Sequence, residues 1–178
     1  MLKIILLATL SATLVNCTGK NEVSSKCGAQ DYYKTHWAWL MNTYPTWASS
    51  KGWGERHNLF FENTVENINR IHEEEKKQLV KVQKFIKLKA CESEMVNLSL
   101  LEYNIKKSID GHKFESHLIQ FESMGGPHTW LPQLHKRVPL KTLQNHKDYL
   151  ERMGKIPLQF DQSKNLSLIG LKKGITPP

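Results

Sequence analysis

Apolar side chains recur at every third or fourth position through most of this sequence, and that spacing predicts a protein built mainly from α-helices. The first such segment spans residues 29–44 and ends at Pro45, which a helix interior does not accept. Its apolar stripe includes Trp37, and we expect Trp37 and the neighbouring Trp39 to pack in the core. Residues 46–56 are rich in Trp and Gly and are predicted to form a loop.

Two longer helices are predicted to follow and to pack against each other in antiparallel directions. The first spans residues 59–88 and has apolar positions repeated at intervals of three and four. The second spans residues 93–109 and is expected to close at Asp110 and Gly111, because glycine is common just after the end of a helix. The short connection between the two contains Cys91 and favours antiparallel neighbours.

The last third of the chain is predicted to be helical again, after an extended stretch at residues 117–121 and an irregular one at residues 130–139. One helix is expected to end at Gly154 and another at Gly174. The residues expected to form their buried faces are Leu143, Tyr149, Leu150 and Met153, followed by Phe160, Leu166, Ile169 and Leu171. Strands do not alternate with helices, so the predicted fold class is mainly α, with four or five helices.

The first residues of the chain have the layout of a secretory signal peptide. A short positive start precedes an apolar stretch at residues 4–14, and residues 14–17 read Leu-Val-Asn-Cys. This resembles a lipobox, although Asn16 stands where Gly, Ala or Ser is usual. We expect a signal peptide at residues 1–16, a lipidated tether at residues 17–28 that starts at Cys17, and a helical domain at residues 29–178.

These features predict an exported protein of the cell envelope, anchored by lipid to a bacterial membrane. There are two alternatives. In one, the signal is an ordinary cleaved one and the protein is periplasmic or secreted. In the other, the apolar segment is retained as a membrane anchor. If Cys17 carries lipid, Cys27 and Cys91 remain, an even number in an oxidising compartment. These two cysteines either form a disulfide or stay free and pack, because the sequence does not place their Cα atoms.

Composition and charge exclude several classes of protein. The chain has 178 residues, of which 39% are hydrophobic and 24% charged, as in ordinary globular domains. Its net charge is +8, but the basic residues are scattered and no RNA-binding signature or zinc-finger spacing accompanies them. We therefore expect a solvated basic surface and no nucleic-acid partner, with binding to nucleic acid or to an anionic membrane surface as the lesser alternative.

No residue of this chain is predicted to be catalytic or to hold a metal. His72 and Glu73 begin like the zinc-binding sequence H-E-x-x-H, but Lys76 stands where the second histidine is needed. The chain has no G-x-S-x-G motif, and turn chemistry explains Ser123 before the glycine pair. We accordingly expect no cofactor in this chain.

The sequence from residue 120 onward resembles a bacterial family called "domain of unknown function 885". The resemblance rests on QFESMGGPHT and LPQL within residues 120–134, then on PLKT, DYLERM, IPLQFDQ and the closing GLKKGITPP. It covers roughly residues 31–178 and is specific only in the last third of the chain.

Members of that family resemble mainly helical zinc metallopeptidases, and many are secreted proteins or lipoproteins. Their H-E-x-x-H helix lies well after the segment matched here, so the resemblance implies the N-terminal part of a larger helical fold. It implies zinc only in full-length relatives, and a separately encoded catalytic half as a partner. In such a relative we expect the loop with Gln120, Gly125, Gly126 and His128 to line the substrate cleft, the alternative being a tight packing turn.

Two functional hypotheses follow. In the first, the chain is a truncated and catalytically inert member of this lipoprotein family. In the second, it is a small helical lipoprotein that binds a partner or a peptide through an aromatic-rich surface.

Overall fold

A computed structural model describes residues 27–177, and this part contains seven α-helices and no β-strand. The helices are α1 (Ala29–Thr43), α2 (Pro45–Ser50), α3 (Val65–Ile86), α4 (Met95–His112), α5 (Pro127–Trp130), α6 (Leu143–Gly154) and α7 (Ile156–Lys172). The mainly α fold class is confirmed, and α3 and α4 form the long antiparallel pair. The signal peptide predicted at residues 1–16 and the lipidated Cys17 lie outside the described residues.

Three short 3-10 helices connect these elements. They are Lys89–Glu94 between α3 and α4, Ser116–Leu118 after α4, and Leu131–Lys136 after α5. The stretches predicted as extended at residues 117–121 and irregular at residues 130–139 are therefore partly helical. The two differences have one cause, because short apolar runs do not distinguish a strand from a tight helical turn.

Helices α1, α3 and α4 share an apolar core. Tyr32 of α1 packs with Val82 of α3 and Ile105 of α4, and all three side chains are buried. A second cluster lies nearby, where Leu98 of α4 packs with residues at the start of α1. Burial of each large aliphatic side chain contributes about 1.5–3 kcal/mol, so this core holds the three helices together.

Helix α3 begins later than predicted. Thr64 has extended backbone, and its side-chain oxygen accepts a hydrogen bond from the backbone N–H of Asn67 at 3.2 Å. This N-cap satisfies one of the unpaired donors at the start of the helix and fixes its first residue as Val65. The prediction of a helix from residue 59 is wrong at this end, because residues 59–64 lie outside it.

Two other predicted boundaries also differ. Helix α4 continues through Gly111 to His112, because Gly111 does not adopt the positive φ that would end the helix. Pro45 terminates α1 as predicted but then occupies the first turn of α2, where the N–H that proline lacks is not needed. The loop predicted at residues 46–56 is therefore helical as far as Ser50.

Helix α6 buries the side opposite to the one predicted. Its buried residues are Asp148 and Arg152, and Arg152 is 0% exposed. Leu143 and Leu150, which were expected inside, are 74% and 69% exposed. The guanidinium of Arg152 donates a hydrogen bond to Ser49 Oγ at 2.9 Å, so a polar contact sets the rotation of this helix.

Helix α7 combines one apolar contact with polar ones. Leu166 is buried as predicted, but Ile169 and Leu171 are exposed. The other buried positions are Gln159, Ser163 and Gly170. At Gly170 a Cβ would lie 3.1 Å from the Cβ of Leu118 and 2.9 Å from the carbonyl oxygen of Ile175, so a small residue is needed there for close packing.

Candidate functional site

The loop that the sequence singled out, residues 120–128, is a tight turn leading into α5. The backbone N–H of Glu122 donates to the carbonyl of Gly125 at 3.1 Å. Gly126 has a φ of 110°, a conformation open to glycine but strained for other residues. Pro127 then begins α5 in the first helical turn. We call residues 120–128 the glycine loop.

The glycine loop brings together three of its four predicted cleft residues. A Cβ on Gly126 would overlap the carbonyl oxygen of Gln120 and would lie 3.2 Å from the ring of His128. The fourth residue, Gly125, instead faces the side chain of Glu122. The loop is therefore closely packed around Gly126, and whether it lines a substrate cleft in a full-length relative stays a prediction.

A network of amide side chains fixes Gln120. Its Nε2 donates to the carbonyl of His117 at 2.6 Å, and its Oε1 accepts from Asn63 Nδ2. Asn63 also donates through Nδ2 to Ser163 Oγ and through its backbone N–H to Gln162 Oε1, both at 3.1 Å. The glycine loop is thereby tied to α7 and to the segment before α3.

Arg152 forms a second polar centre inside the molecule. Besides Ser49 Oγ, its Nη2 donates to the carbonyl of Arg56 at 3.3 Å, and the guanidinium lies 5.6 Å from the ring centre of Phe60. Burial lowers the pKa of Arg152 to about 10, and the charge of Asp148 opposes that shift. The guanidinium stays protonated at neutral pH and holds α2 and the following segment against α6.

A groove between α1 and α4 is lined mainly by aromatic and aliphatic side chains, and we call it the aromatic groove. Its volume is about 460 Å³. The residues that line it are Gln30, Tyr33, His36, Trp37, Leu40, Asn97, Leu100, Leu101 and Asn104. None of these residues is Asp, Glu, Lys or Arg, and burial lowers the pKa of His36, which favours its neutral form.

Trp37 lies on the wall of the aromatic groove. It is 39% exposed and packs edge-on against Trp47 of α2, with ring centres 5.5 Å apart. The prediction that Trp37 packs in the core is therefore wrong, since Tyr32 and His36 occupy the buried side of α1. Trp39 is half-buried beside the ring of His36.

Five leucines of α6 and α7 are exposed: Leu143 and Leu150 on α6, and Leu158, Leu168 and Leu171 on α7. Leu143 and Leu150 are two helical turns apart and therefore lie on one side of α6, and we call this pair the outer leucine face. Grouped exposed apolar side chains mark sites of interaction more often than isolated ones do.

Comparison with known families now places the chain. A family model described as "Bacterial protein of unknown function (DUF885)" matches residues 45–178. The chain belongs to the DUF885 family. The match runs from α2 through α7 and includes the glycine loop, Arg152 and the outer leucine face. Searches of curated proteins and of solved structures gave no significant match.

The structure of this DUF885 protein places Cys27 and Cys91 in a disulfide. Their Cα atoms are 5.0 Å apart, and both residues are buried against Leu98. The bond joins the residue just before the N-cap of α1 to the 3-10 helix between α3 and α4. Of the two arrangements that the sequence left open, the described structure has the bonded one.

The described part of the DUF885 chain has neither a metal-binding cluster nor a membrane-spanning helix. Within residues 27–177, no group of three or more His, Cys, Asp or Glu side chains is arranged to hold a metal ion. No helix in the same range has both the length and the hydrophobicity needed to cross a membrane.

Two of these features, the inward-facing Arg152 and the aromatic groove, are hard to recognise from the sequence. Arg152 lies in the DYLERM motif but was not predicted to be buried or functional. It and Asp148 are one helical turn apart, on the side of α6 away from the leucines. That i,i+4 pattern of opposite charges could have signalled a polar inner face. The aromatic groove depends on how α1 packs against α4, which periodicity within either helix does not define.

Proposed function

We propose that this DUF885 protein is an exported, lipid-anchored protein that acts by binding and contributes no active site of its own. This proposal is supported by the sequence, in which the stretch His72–Lys76 lacks the second histidine of H-E-x-x-H and no residue is predicted to hold zinc. The resemblance to metallopeptidases implies that relatives hold zinc in a later segment of their sequence. The partner in this proposal is that catalytic segment, supplied as a separate chain.

The observation that carries the proposal is the inverted arrangement of α6 and α7. Arg152, Ser163 and Gln159 face inward, while the outer leucine face is exposed. Exposure of these leucines costs free energy in water, at about 25 cal/mol for each Å² of apolar surface that a partner would otherwise cover. A helical partner with an apolar side would remove this cost, and apolar helix faces commonly pack in that way.

The decisive experiment mixes the chain with the purified catalytic segment of a full-length DUF885 protein. We expect a 1:1 complex by size-exclusion chromatography with light scattering, and zinc-dependent peptide hydrolysis only in the mixture. The double substitution L143E/L150E places charges on the outer leucine face and is expected to abolish the complex.

Val96→Glu is the matched control, because Val96 is 81% exposed on α4, outside the outer leucine face. It is expected to leave the complex intact. Hydrolysis by the chain alone would overturn the proposed lack of catalysis. A complex unaffected by L143E/L150E would overturn the proposed docking face.

The aromatic groove favours a second candidate function, the binding of a peptide. Its aromatic and amide lining matches the apolar side chains and backbone amides of an extended peptide. Titration of peptide libraries against the intrinsic fluorescence of the chain tests this, with Trp37→Ala expected to abolish binding. Trp53→Ala is the control, since Trp53 lies outside the groove. Equal binding by the two variants would exclude the groove as the peptide-binding site.

The proposed lipid anchor has a separate test. The buried Cys27–Cys91 disulfide supports export, because disulfides form mainly in oxidising compartments. Labelling a bacterial expression host with radioactive palmitate is expected to mark the wild-type chain but not Cys17→Ala. Label retained in Cys17→Ala, or a mature N-terminus other than Cys17, would contradict the anchor.

A further inference from the structure

Three histidine rings stack where α3, α4 and the 3-10 helix Ser116–Leu118 meet. The ring centres of His72 and His112 are 3.8 Å apart with 15° between the ring planes. His117 continues the stack, with its ring centre 5.4 Å from that of His112 and 29° between the planes. We call these three residues the histidine stack. They line one side of a cavity of about 310 Å³.

The environment of the histidine stack suits neutral rings. His72 Nδ1 and His112 Nε2 are buried and have no hydrogen-bond partner among the described residues. The pKa values of His72 and His117 are lowered by burial first and by the charge of His112 second. Two imidazolium rings in face-to-face contact would repel each other at a distance where water does not intervene.

Two carboxylates of α3, those of Glu73 and Glu75, lie near the histidine stack. Glu73 is paired with Lys76 at 2.7 Å, and that lysine disfavours a charge on His72. Glu75 accepts a hydrogen bond from Ser108 of α4 at 2.8 Å, and burial raises its pKa.

The other two elements contribute a similar balance of charge. Glu115, just before the 3-10 helix, is paired with Lys173, the residue that follows α7. The effect of Glu115 on His117 is to raise its pKa, and that of Lys173 is to lower it. Lys107 of α4 also lines the cavity. Glu73, Glu75 and Glu115 therefore each favour a charge on one ring of the stack. For His72 and His117 this is outweighed by burial, by the charge of His112 and by Lys76 or Lys173, so their pKa values are lowered.

We propose that the histidine stack is an acid-sensitive switch that holds the end of α4 against α3 while its rings are neutral. Protonation separates the rings and releases the chain from His112 to His117. The carbonyl of His117 accepts the hydrogen bond of Gln120, so release of this segment also loosens the amide network of the glycine loop. The switch thus connects external pH to the glycine loop, independently of what the outer leucine face binds.

The direction of the pH response follows from the lowered pKa values. A histidine that resists protonation in the folded state stabilises that state at pH values above its unfolded pKa of 6.5. As pH falls below 6.5, the released state binds protons that the closed state does not, and the population of the released state rises. It rises at most about tenfold per pH unit for each such proton.

Amide hydrogen exchange on the full chain tests the switch. After correction for the intrinsic pH dependence of exchange, we expect residues 112–120 to exchange about tenfold faster at pH 5.5 than at pH 6.5. His112→Phe keeps an aromatic ring in the stack without a titrating group and is expected to remove most of this increase. His135→Phe is the matched control, because His135 is exposed and distant in sequence from the stack.

Two results would overturn the switch. One is an equal increase of exchange in the wild-type chain and in His112→Phe. The other result needs no variant, so it can be obtained even if His112→Phe does not fold. It is a titration of the imidazole C2–H resonances of His72 and His117 with midpoints at or above pH 6.5. Midpoints below 6.5 for both residues support the switch.

Discussion

The helices α1, α3 and α4 bury mainly apolar side chains, whereas the pair α6 and α7 buries mainly polar ones. In the first group, Val82 and Leu98 are inside, as their hydrophobicity requires. In the second group, Arg152 and Ser163 are inside, and leucines such as Leu150 face out. The first group is held by apolar burial within itself. The second is held by directional hydrogen bonds to the rest of the chain, which leaves its apolar surface available to a partner.

The largest expected effect concerns the first group. The Cys27–Cys91 disulfide closes a ring with a sequence separation of 64. Its removal by C27S/C91S is expected to lower the free energy of unfolding by about 4 kcal/mol, because the unfolded chain gains conformational entropy. Urea unfolding measures this, with Cys17→Ser as the control expected to change nothing. A double variant as stable as wild type would show that apolar packing alone secures α1.

The next effect compares one buried leucine with one exposed leucine. Leu98→Ala removes a side chain that is 0% exposed and is expected to cost about 3 kcal/mol. Leu150→Ala, the same substitution on the outer leucine face, is expected to stay within about 0.5 kcal/mol. Urea unfolding of both variants checks the contrast. A similar loss of unfolding free energy in the two variants would contradict the difference between the two groups of helices.

A smaller loss is expected at the polar centre of the second group. Arg152→Ala removes the hydrogen bonds to Ser49 and to the carbonyl of Arg56 and is expected to cost about 2 kcal/mol. Arg70→Ala, on the exposed side of α3, is the control and is expected to be close to neutral. An Arg152→Ala variant more stable than wild type would mean that burying the charge costs more than its contacts contribute.

The smallest effect is a change in pH dependence within the first group. Hydrogen bonds from Asn97 and Gln30 lower the pKa of Glu94 below its ordinary value of 4.5. Glu94 therefore stabilises the fold above pH 4.5, and this contribution is lost as pH falls through its lowered pKa. Glu94→Gln is expected to flatten the unfolding free energy between pH 4.5 and lower pH values. The exposed Glu92→Gln serves as control, and curves for Glu94→Gln parallel to wild type would refute the role.

The sequence predicted well what depends on local pattern. The spacing of apolar residues gave the fold class, the antiparallel pair and the extent of α1 to within a residue. It failed for the inner face of α6, because Arg152 finds its partner Ser49 at a separation of 103 residues. A polar contact between distant segments overrides the helical hydrophobic pattern, and nothing within α6 identifies the partner.

The candidate site was less predictable than the fold. The glycine loop was found from its composition, and the positive φ of Gly126 explains why glycine stands there. The histidine stack was missed because His72 and His112 belong to different helices, and single spacings along the chain do not show which rings meet. An aromatic-rich binding surface was one hypothesis from the sequence, but the aromatic groove was not located for the same reason, since Trp37 has an ordinary helical position.

The Cys27–Cys91 bond also decides how the chain comes apart when it is cut. A protease that cleaves between α2 and α3 leaves two pieces that remain covalently joined and separate on a gel only after reduction. Cleavage in the glycine loop lies outside the ring and leaves α5, α6 and α7 without a covalent link to it. After such a cut only non-covalent contacts, such as Arg152 with Ser49 and Asn63 with Ser163, hold these helices in place. The disulfide therefore secures one part of the chain against a single cut, and the part that carries the outer leucine face lacks this protection.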